Sequence, residues 1–305
     1  MPIDVASSIK FTATDTEPTS DKGRIYYDDS DSRLKHYDGS NWGNVARDNY
    51  AAAGGSYIAD FDGSDDYIQI LESPATGPWT CDENRSISVW IKPDTDKHQH
   101  IISGDDDTGW HHNTVMYTTP TQIGVYHCVN GIYGSVKKTV NYTDGNWHHV
   151  VLTLDQTLSS STSFELSLYH NGYLGGNQTT VTGITNVSSE WGEIAIGRYH
   201  IGEISSDPMQ DGTHGTLTGY NADPQTTTFD GKMDEIGLWD TALPADSILS
   251  IYNYGVPADI SSDYGNYTHS SNLKARYRFE NNANDTEGNF NATNNGVSFV
   301  TGQVS

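Results

Sequence analysis

The chain has 305 residues, of which 34% are hydrophobic, and its 40 acidic against 16 basic side chains give a formal charge of −24. This balance disfavours nucleic acid and anionic membrane surfaces as partners, because both are bound through Lys and Arg. No apolar run approaches the roughly 20 residues that cross a bilayer, so we expect no membrane insertion. The 30 glycines and the abundant Asn, Asp, Ser and Thr are typical of short strands joined by tight turns.

Residues 1–50 differ in pattern from the rest of the chain. The stretch "GRIYYDDSDSRLKHYDGSNW" predicts two aromatic-rich strands around "DDSDS", followed by a second turn. An isolated hairpin is marginally stable in water, so we expect this region to attach to the main domain, another copy of the chain or a larger assembly. Residues 51–56, "AAAGGS", are typical of a short flexible linker. The main domain is therefore predicted at 57–305.

Strand patterns follow at short intervals from residue 57. In "SISVWIKP", Ile87, Val89 and Ile91 alternate with other side chains, which predicts a strand with one face in a core. The pair Asn171-Gly172 supplies the positive φ values that a two-residue hairpin turn needs. This density of strands predicts an all-β antiparallel sandwich.

One short helix interrupts the strands, in "LPADSILSIYNYG". Pro244 suits the first helical turn, Ile248, Ile251 and Tyr252 fall on one stripe, and Gly255 is the expected C-terminal stop.

Several of these segments resemble laminin-G-like or concanavalin A-like lectin/glucanase domains. The segments that carry the resemblance are "FDGSDDYIQI", "SISVWIKP", "DGNWHHVVLTLD", "LYHNGYL", "AIGRY" and "FDGKMDEIGLWDTALPADSILSIYNYG". The resemblance covers roughly residues 57–301. It implies two curved antiparallel sheets packed as a jelly-roll β-sandwich, here preceded by a small N-terminal β-hairpin region.

The C-terminal stretch "ARYRFENNANDTEGNFNATNNGVSFVTGQVS" stands at an unexpected place. In the usual arrangement of these domains such a stretch comes first and runs into "FDGSDDY". We interpret its position here as a circular permutation, because jelly-roll termini lie on neighbouring strands at the surface. The alternative is a truncated second repeat, whose single hairpin could not bury a core.

The N-terminal hairpin is similar to short motifs of bacteriophage tail-fibre and appendage proteins, among which permuted laminin-G-like domains are frequent. This resemblance predicts a non-catalytic virion protein, such as a fibre, spike or capsid decoration, assembled in the host cytoplasm. Its expected partners are other virion proteins, host-surface glycans and further copies of the chain in a homo-oligomer. The alternatives are a polysaccharide-degrading enzyme and a cellular extracellular carbohydrate-binding or adhesion protein.

The sequence offers no catalytic set. Glucanases of this fold carry Glu-x-Asp-x-x-Glu on one strand, whereas here Glu235 is followed by Gly237 and Asp240 at the required positions. Among the histidines, only His98 and His100 have the spacing that puts two side chains on one face of a strand, where they could share a metal.

Calcium is the cofactor that the acidic loops favour. The loop "NNANDTEGNFN" offers Asp285, Glu287 and Asn291, and the resemblance implies that Asp234 supplies a ligand from the "MDE" strand. This calcium would be structural. The alternative is that Asp285 and Asn291 stabilise turns through hydrogen bonds to the backbone.

Ligand contact is expected from two loops. The long polar segment that begins "RYHIGEISSDPMQDG" includes Tyr199 and Tyr220, and "DDDTGWHH" supplies Trp110 and His111. Aromatic rings beside amides and carboxylates suit sugars, and long loops without secondary structure are often functional. The alternative is that these aromatic side chains pack the loops onto the sandwich or onto a neighbouring subunit.

Overall fold

The structure is a computed structural model, and it describes residues 55–70, 84–105, 112–129, 132–156, 163–176, 179–183, 194–199 and 228–304, together with four short strands near the N-terminus. The chain divides into two units, Met1–Ala52 and Ala53–Ser305. Of the predicted linker, residues 51–54 lie outside the described residues.

The first unit contains a four-stranded sheet in the order β1-β2-β3-β4. Its strands are β1 (Ala13–Thr14), β2 (Ile25–Asp28), β3 (Arg33–Tyr37) and β4 (Trp42–Asn44). The two strands predicted around "DDSDS" are β2 and β3, which pair antiparallel, and β4 follows the second predicted turn. Strand β1 was not predicted, and it pairs parallel with β2.

The second unit contains the remaining strands and the helix. These are β5 (Tyr57–Asp62), β6 (Tyr67–Ile70), β7 (Arg85–Pro93), β8 (Gln99–Asp105), β9 (His112–Thr119), β10 (Gln122–Val129), β11 (Ile132–Thr139), β12 (His148–Gln156), β13 (Ser163–His170), β14 (Tyr173–Leu174), β15 (Thr179–Thr182), β16 (Ile194–Ile196), β17 (Asp230–Trp239), α1 (Ala245–Tyr252), β18 (Leu273–Tyr277), β19 (Ala292–Asn295) and β20 (Ser298–Thr301).

These strands form two antiparallel sheets that enclose one core. The seven-stranded sheet has the order β11-β10-β9-β8-β16-β6-β19, and the nine-stranded sheet follows β14-β13-β12-β7-β17-β5-β20, with β15 beside β13 and β18 beside β17. Alternate side chains of both sheets meet in the core, as the period-two pattern requires. The predicted all-β antiparallel sandwich is therefore confirmed.

The outer face of the nine-stranded sheet is more buried than strand alternation predicts. On β7, Trp90 is buried as deeply as the core residues, because its ring stacks on Tyr252 of α1 with centroids 5.8 Å apart. The helix begins after Pro244, buries Ile248 and ends where Asn253 adopts a left-handed φ of 43°. A 3-10 turn, Asn253–Gly255, continues from there to the predicted stop at Gly255, whose φ of 96° is the left-handed conformation that glycine favours.

The C-terminal segment contributes to both sheets. Strand β18 pairs with β17, β19 pairs with β6, and β20 pairs with β5. Tyr277 and Phe279 are buried in the main core, and Phe299 packs against it. This pairing is what the permutation interpretation requires.

Candidate functional site

Three of the four predicted ligand-contact residues, Trp110, His111 and Tyr220, lie outside the described residues. The fourth, Tyr199, is only 3% exposed. Its ring lies 5.1 Å from that of His100 and belongs to a small cluster that is separate from the main core. The structure thus places Tyr199 in packed surroundings on the sheet, as in the packing alternative.

The cluster around Tyr199 lies on the outer face of the seven-stranded sheet. It consists of the residues Val115, Tyr117, Tyr126, Cys128 and Tyr199, with Tyr133 packed against them, and we call it the outer tyrosine cluster. Neighbouring positions on the same strands, such as Met116 and Val125, belong to the main core, so strand alternation sends the cluster residues to the opposite face. A face that strand alternation would leave to polar side chains is instead built from tyrosines.

The rings of the cluster are arranged in pairs. Tyr126 and Tyr133 come from neighbouring strands and stack with centroids 5.9 Å apart at an interplanar angle of 20°. Tyr117 stacks in the same way on His98, at 5.6 Å and 15°. Sequence analysis missed these residues, although "VMYTT" and "IGVYHCV" contain the signal, because each places one Tyr at an outward position directly beside a core residue.

Tyr117 has an unusual polar environment. Its side chain is 1% exposed, and its hydroxyl group is buried without a hydrogen-bond partner. Burial raises the pKa of this phenol. Burial and, to a smaller extent, the charge of Lys137 lower the pKa of the stacked His98 to about 4, so His98 is neutral at pH 7. The hydroxyl is thus a buried donor that no group of the described chain uses.

The paired histidines suggested as a metal site are not arranged as one. His98 and His100 meet edge to face, with centroids 5.5 Å apart, and each ring also contacts a tyrosine. No histidine belongs to a group of three or more potential metal ligands among the described residues. Their observed role is therefore packing on the outer sheet face.

The carboxylate of Asp285, predicted to bind calcium, is saturated with hydrogen bonds. It is 4% exposed, and its two oxygens accept four backbone N–H bonds of 2.8 to 3.0 Å, from Arg276, Glu287, Asn289 and Phe290. Asn291 in turn accepts the N–H of Asp285 through Oδ1 at 3.1 Å. Because its lone pairs are occupied, Asp285 does not fit a calcium site in this geometry, and the turn-stabilising alternative describes the bonding of Asp285 and Asn291.

Asp234 lies on β17 and is 2% exposed. Burial and, to a smaller extent, the charge of Glu235 raise the pKa of this carboxyl group well above its usual value. Its Oδ1 accepts the N–H of Glu235 at 2.9 Å, at a break in strand register where Glu235 has a φ of 46°. Asp234 therefore keeps acceptor capacity that Asp285 lacks.

A different acidic cluster brings three carboxylates together in the described residues. The carboxylate oxygens of Asp62, Asp65 and Asp66 lie within 4.8 Å of one another. Burial raises the pKa of Asp66, and the charges of Asp62 and Asp65 add to this increase. A hydrogen bond from the N–H of Asp62 acts in the opposite direction and lowers the same pKa. Sequence analysis used "FDGSDD" only as a fold motif and missed this convergence.

The strand that carries catalytic carboxylates in glucanases is organised differently here. Glu235 accepts Nη2 of Arg276 at 2.9 Å and Nε of Arg278 at 3.0 Å, so its carboxylate is held in a largely buried ion pair. At the next required position Gly237 leaves space for the ring of Trp239. Asp240 is paired with Lys274. The strand therefore lacks the pair of free carboxylates that glycoside hydrolysis needs.

Comparison with known proteins agrees with this architecture. A family model described as the concanavalin A-like lectin/glucanases superfamily matches residues 62–213. A candidate carbohydrate-binding protein from Bacteroides ovatus aligns with a TM-score of 0.52 at 18% identity, over 83% of this chain and 62% of that one. The second unit has the concanavalin A-like fold.

This chain thus spans less than two thirds of the Bacteroides ovatus protein. The concanavalin A-like unit is also similar to a heptameric pentraxin from Limulus polyphemus, with a TM-score of 0.49 at 14% identity, covering 82% of this chain and 95% of that one. No curated protein matches the chain in sequence. Among the described residues, no helix has the length and apolar character needed to cross a membrane.

Proposed function

We propose that the concanavalin A-like unit is a non-catalytic glycan-binding domain of a virion appendage. The observation that carries the glycan-binding part is Tyr133, the partly buried ring at the margin of the outer tyrosine cluster, which the buried rings of the cluster support from below. Tyrosine rings present apolar faces to the C–H groups of a sugar and hydroxyls to its polar edge, which is why aromatic side chains with few polar groups make ligand sites. The similarity to a candidate carbohydrate-binding protein supports the same proposal.

The glycan-binding proposal is tested on the full chain with immobilised polysaccharides. Tyr133 is the variant of choice, because it lies at the margin of the cluster and is only partly buried. Tyr133→Ala should lower glycan binding about tenfold, as expected for loss of an aromatic contact worth about 1.5 kcal/mol. Tyr169→Ala, a partly buried tyrosine on β13 of the other sheet, is the matched control. Equal binding by both variants would contradict the assignment.

The virion part of the proposal is supported by the resemblance of the N-terminal hairpin to phage appendage motifs. Mass spectrometry of purified virions should detect the chain as a structural component. Detection only in cell envelopes or culture medium would favour a cellular adhesion protein. Release of reducing sugars from bound polysaccharide would favour the enzymatic alternative, which the ion-paired Glu235 disfavours at its strand.

Calcium binding is a second part of the proposal, and the group that fits it best is Asp62, Asp65 and Asp66. Three carboxylates this close repel one another, and a divalent cation held by their oxygens would remove that repulsion. Calcium should therefore raise the melting temperature, and Asp65→Asn should abolish most of this increase. An unchanged melting curve in chelator would refute calcium binding.

A further inference from the structure

Two buried histidines are hydrogen-bonded to each other at the edge of the nine-stranded sheet, and we call them the histidine pair. His148 begins β12 and His170 ends β13. The distance between His148 Nδ1 and His170 Nε2 is 2.9 Å. The rings are nearly coplanar, at an interplanar angle of 19° with centroids 5.2 Å apart, as suits an N–H···N bond between imidazoles. Such a bond needs one nitrogen with a hydrogen and one without.

The carboxylate of Asp144 determines which nitrogens carry the hydrogens. Its Oδ1 lies 3.1 Å from His148 Nε2, and a carboxylate can only accept, so Nε2 of His148 carries a hydrogen. In neutral His148 the other nitrogen, Nδ1, is then the acceptor, and His170 Nε2 must be the donor. Nδ1 of neutral His170 is left without a hydrogen. The geometry therefore assigns the Nε2–H tautomer to both histidines at neutral pH.

The histidine pair can take up one additional proton and keep its hydrogen bonds. This proton binds Nδ1 of His170, and the shared hydrogen can then move along the bond to Nδ1 of His148. The transfer places the positive charge on His148, next to Asp144, and makes Nε2 of the neutral His170 the acceptor. A second proton has to bind that acceptor nitrogen. Two N–H groups then face each other, so the bond is lost and two imidazolium ions adjoin.

The groups around His170 oppose a positive charge on it. A Cβ atom placed on Gly175 would lie 3.1 Å from Lys138 Cδ and 3.5 Å from His170 Cβ, so the lysine side chain runs beside this histidine. On β14 the opposite residue is Tyr173, whose phenol carries no charge in acid. On β12, burial and, to a smaller extent, the charge of His170 lower the pKa of His149 to about 3. Lys138 is thus the nearby cation above that pH.

These surroundings set the order in which the two protons bind. Burial and, to a smaller extent, the charge of Lys138 lower the pKa of His170 to about 3. Burial also lowers the pKa of His148, but the charge of Asp144 opposes this decrease. The first proton therefore resides on His148, and the second binds His170 at lower pH.

The β13–β14 hairpin is the element that a break at His170 would affect. His170 pairs with Tyr173, and β14 is the terminal strand in the described part of the nine-stranded sheet. Tyr173 and Leu174 are 61% and 51% exposed, so little apolar burial holds this strand. Asn171 in the turn instead makes two hydrogen bonds with the backbone of His149, at 2.8 and 2.9 Å. The turn is thus anchored to β12, and β14 is the weaker side of the hairpin.

We propose that the histidine pair is a pH-operated latch on the β13–β14 hairpin, closed when it holds no additional proton or one, and opened by the second. In the open state the two imidazolium ions separate and β14 leaves the sheet edge, while the strands of the core remain paired. This device is independent of the glycan-binding function proposed above.

Two measurements on the full chain test the latch. Nitrogen-15 NMR of the imidazoles at pH 7.5, assigned with His148→Gln and His170→Gln, should show the Nε2–H tautomer for both histidines. Hydrogen exchange is then followed from pH 7.5 to 3 and expressed relative to the intrinsic rate at each pH. Protection of the β14 amides and of Gly175, which donates to the Leu168 carbonyl at 2.7 Å, should fall at least about tenfold while β7 stays protected.

Two variants connect the opening to the second proton. His170→Gln keeps a side-chain N–H donor for His148 but cannot take up a proton. Its hairpin should therefore stay protected down to the pH at which the core strands open. His269→Gln is the matched control, because it removes a partly buried histidine that is hydrogen-bonded to Ser247, outside the pair. This control should open at the same pH as the natural chain.

Four results would overturn the latch. An Nδ1–H tautomer of His170 at pH 7.5 would contradict the assigned hydrogens, and an unprotected hairpin at that pH would contradict the closed state. Simultaneous loss of protection in β14 and β7 would show that acid opens the whole unit. Equal opening of His170→Gln and the natural chain would show that the second proton is not the trigger.

Discussion

The phenol end of Tyr117 lies over Gly124, and a methyl group at position 124 would come within 2.5 Å of Tyr117 Cζ. The two residues face each other on β9 and β10. The absence of a side chain on one strand therefore creates the space in which the ring of the other is buried. This contact buries the tyrosine hydroxyl on the outer sheet face.

Gly124→Ala should displace the Tyr117 ring and destabilise the sandwich by about 1–3 kcal/mol, the usual cost of overpacking. In the Tyr117→Ala background the same substitution should cost much less, because the clash is gone. Urea denaturation of the single and double variants measures this coupling. Additive effects would show that the ring does not occupy the space over Gly124.

Tyr117→Phe should leave stability unchanged or increase it, because it removes a buried hydroxyl that has no hydrogen-bond partner. Tyr277→Phe is the matched control, since Tyr277 Oη donates a 2.6 Å bond to the carbonyl of Phe290. That variant should lose about 1 kcal/mol. A comparable loss in both variants would mean that Tyr117 has a partner after all.

Asp285→Ala should destabilise the chain by several kcal/mol, roughly 3 or more, because it leaves four largely buried backbone N–H groups without their acceptor. The loss should be the same in calcium and in chelator. Asp65→Asn should instead lower stability only when calcium is present, and in chelator it should leave stability unchanged or raise it, because it removes one of three repelling charges. Thermal melts of both variants in the two buffers separate the roles, and a calcium-dependent loss in Asp285→Ala would return that residue to the ligand set.

Stability should fall as the pH is lowered below neutrality. Burial and, to a smaller extent, the charge of His170 lower the pKa of His149 to about 3. Burial and, to a smaller extent, the charge of Lys138 lower the pKa of His170 to about 3. Both histidines are neutral in the folded chain, whereas unfolded histidines take up protons below about pH 6.5. Stability is thus fully present above that pH and is lost as the pH falls towards 3.

Each of these histidines should contribute about 1.4 kcal/mol per pH unit within that window. Urea denaturation at pH 7.5, 6.5 and 5.5 measures the slope. His170→Gln should reduce this slope by about 1.4 kcal/mol per pH unit, which is the contribution of one proton, whatever its effect on stability at pH 7.5. An unchanged slope would mean that His170 titrates alike in both states.

Deletion of all residues after Ser271 should give insoluble or partly folded protein. It removes one strand from the seven-stranded sheet and two from the nine-stranded sheet. The buried rings of Tyr277 and Phe279 are lost with them, which leaves apolar neighbours exposed. Circular dichroism and thermal melting test this, and a truncated chain of undiminished stability would refute the permutation interpretation.

Local sequence determined the strands, the hairpin and the helix, because these depend on neighbouring residues. The period-two pattern of β7 specifies a strand, and Asn171 and Gly172 have the positive φ values, 52° and 80°, that the hairpin required. Pro244 marks the helix start, since its fixed φ suits the first turn. These features formed as predicted because no distant partner is needed to decide them.

Tertiary structure alone decided the site, because its contacts join residues that are far apart in sequence. The sequence named Asp285 for its chemistry, but only the folded loop showed that four N–H groups occupy its carboxylate. Tyr117 is buried through the strand register that sets it opposite Gly124, whose missing side chain leaves room for the ring. Side-chain type is local information, whereas burial, register and the absence of a partner are properties of the packed sheets.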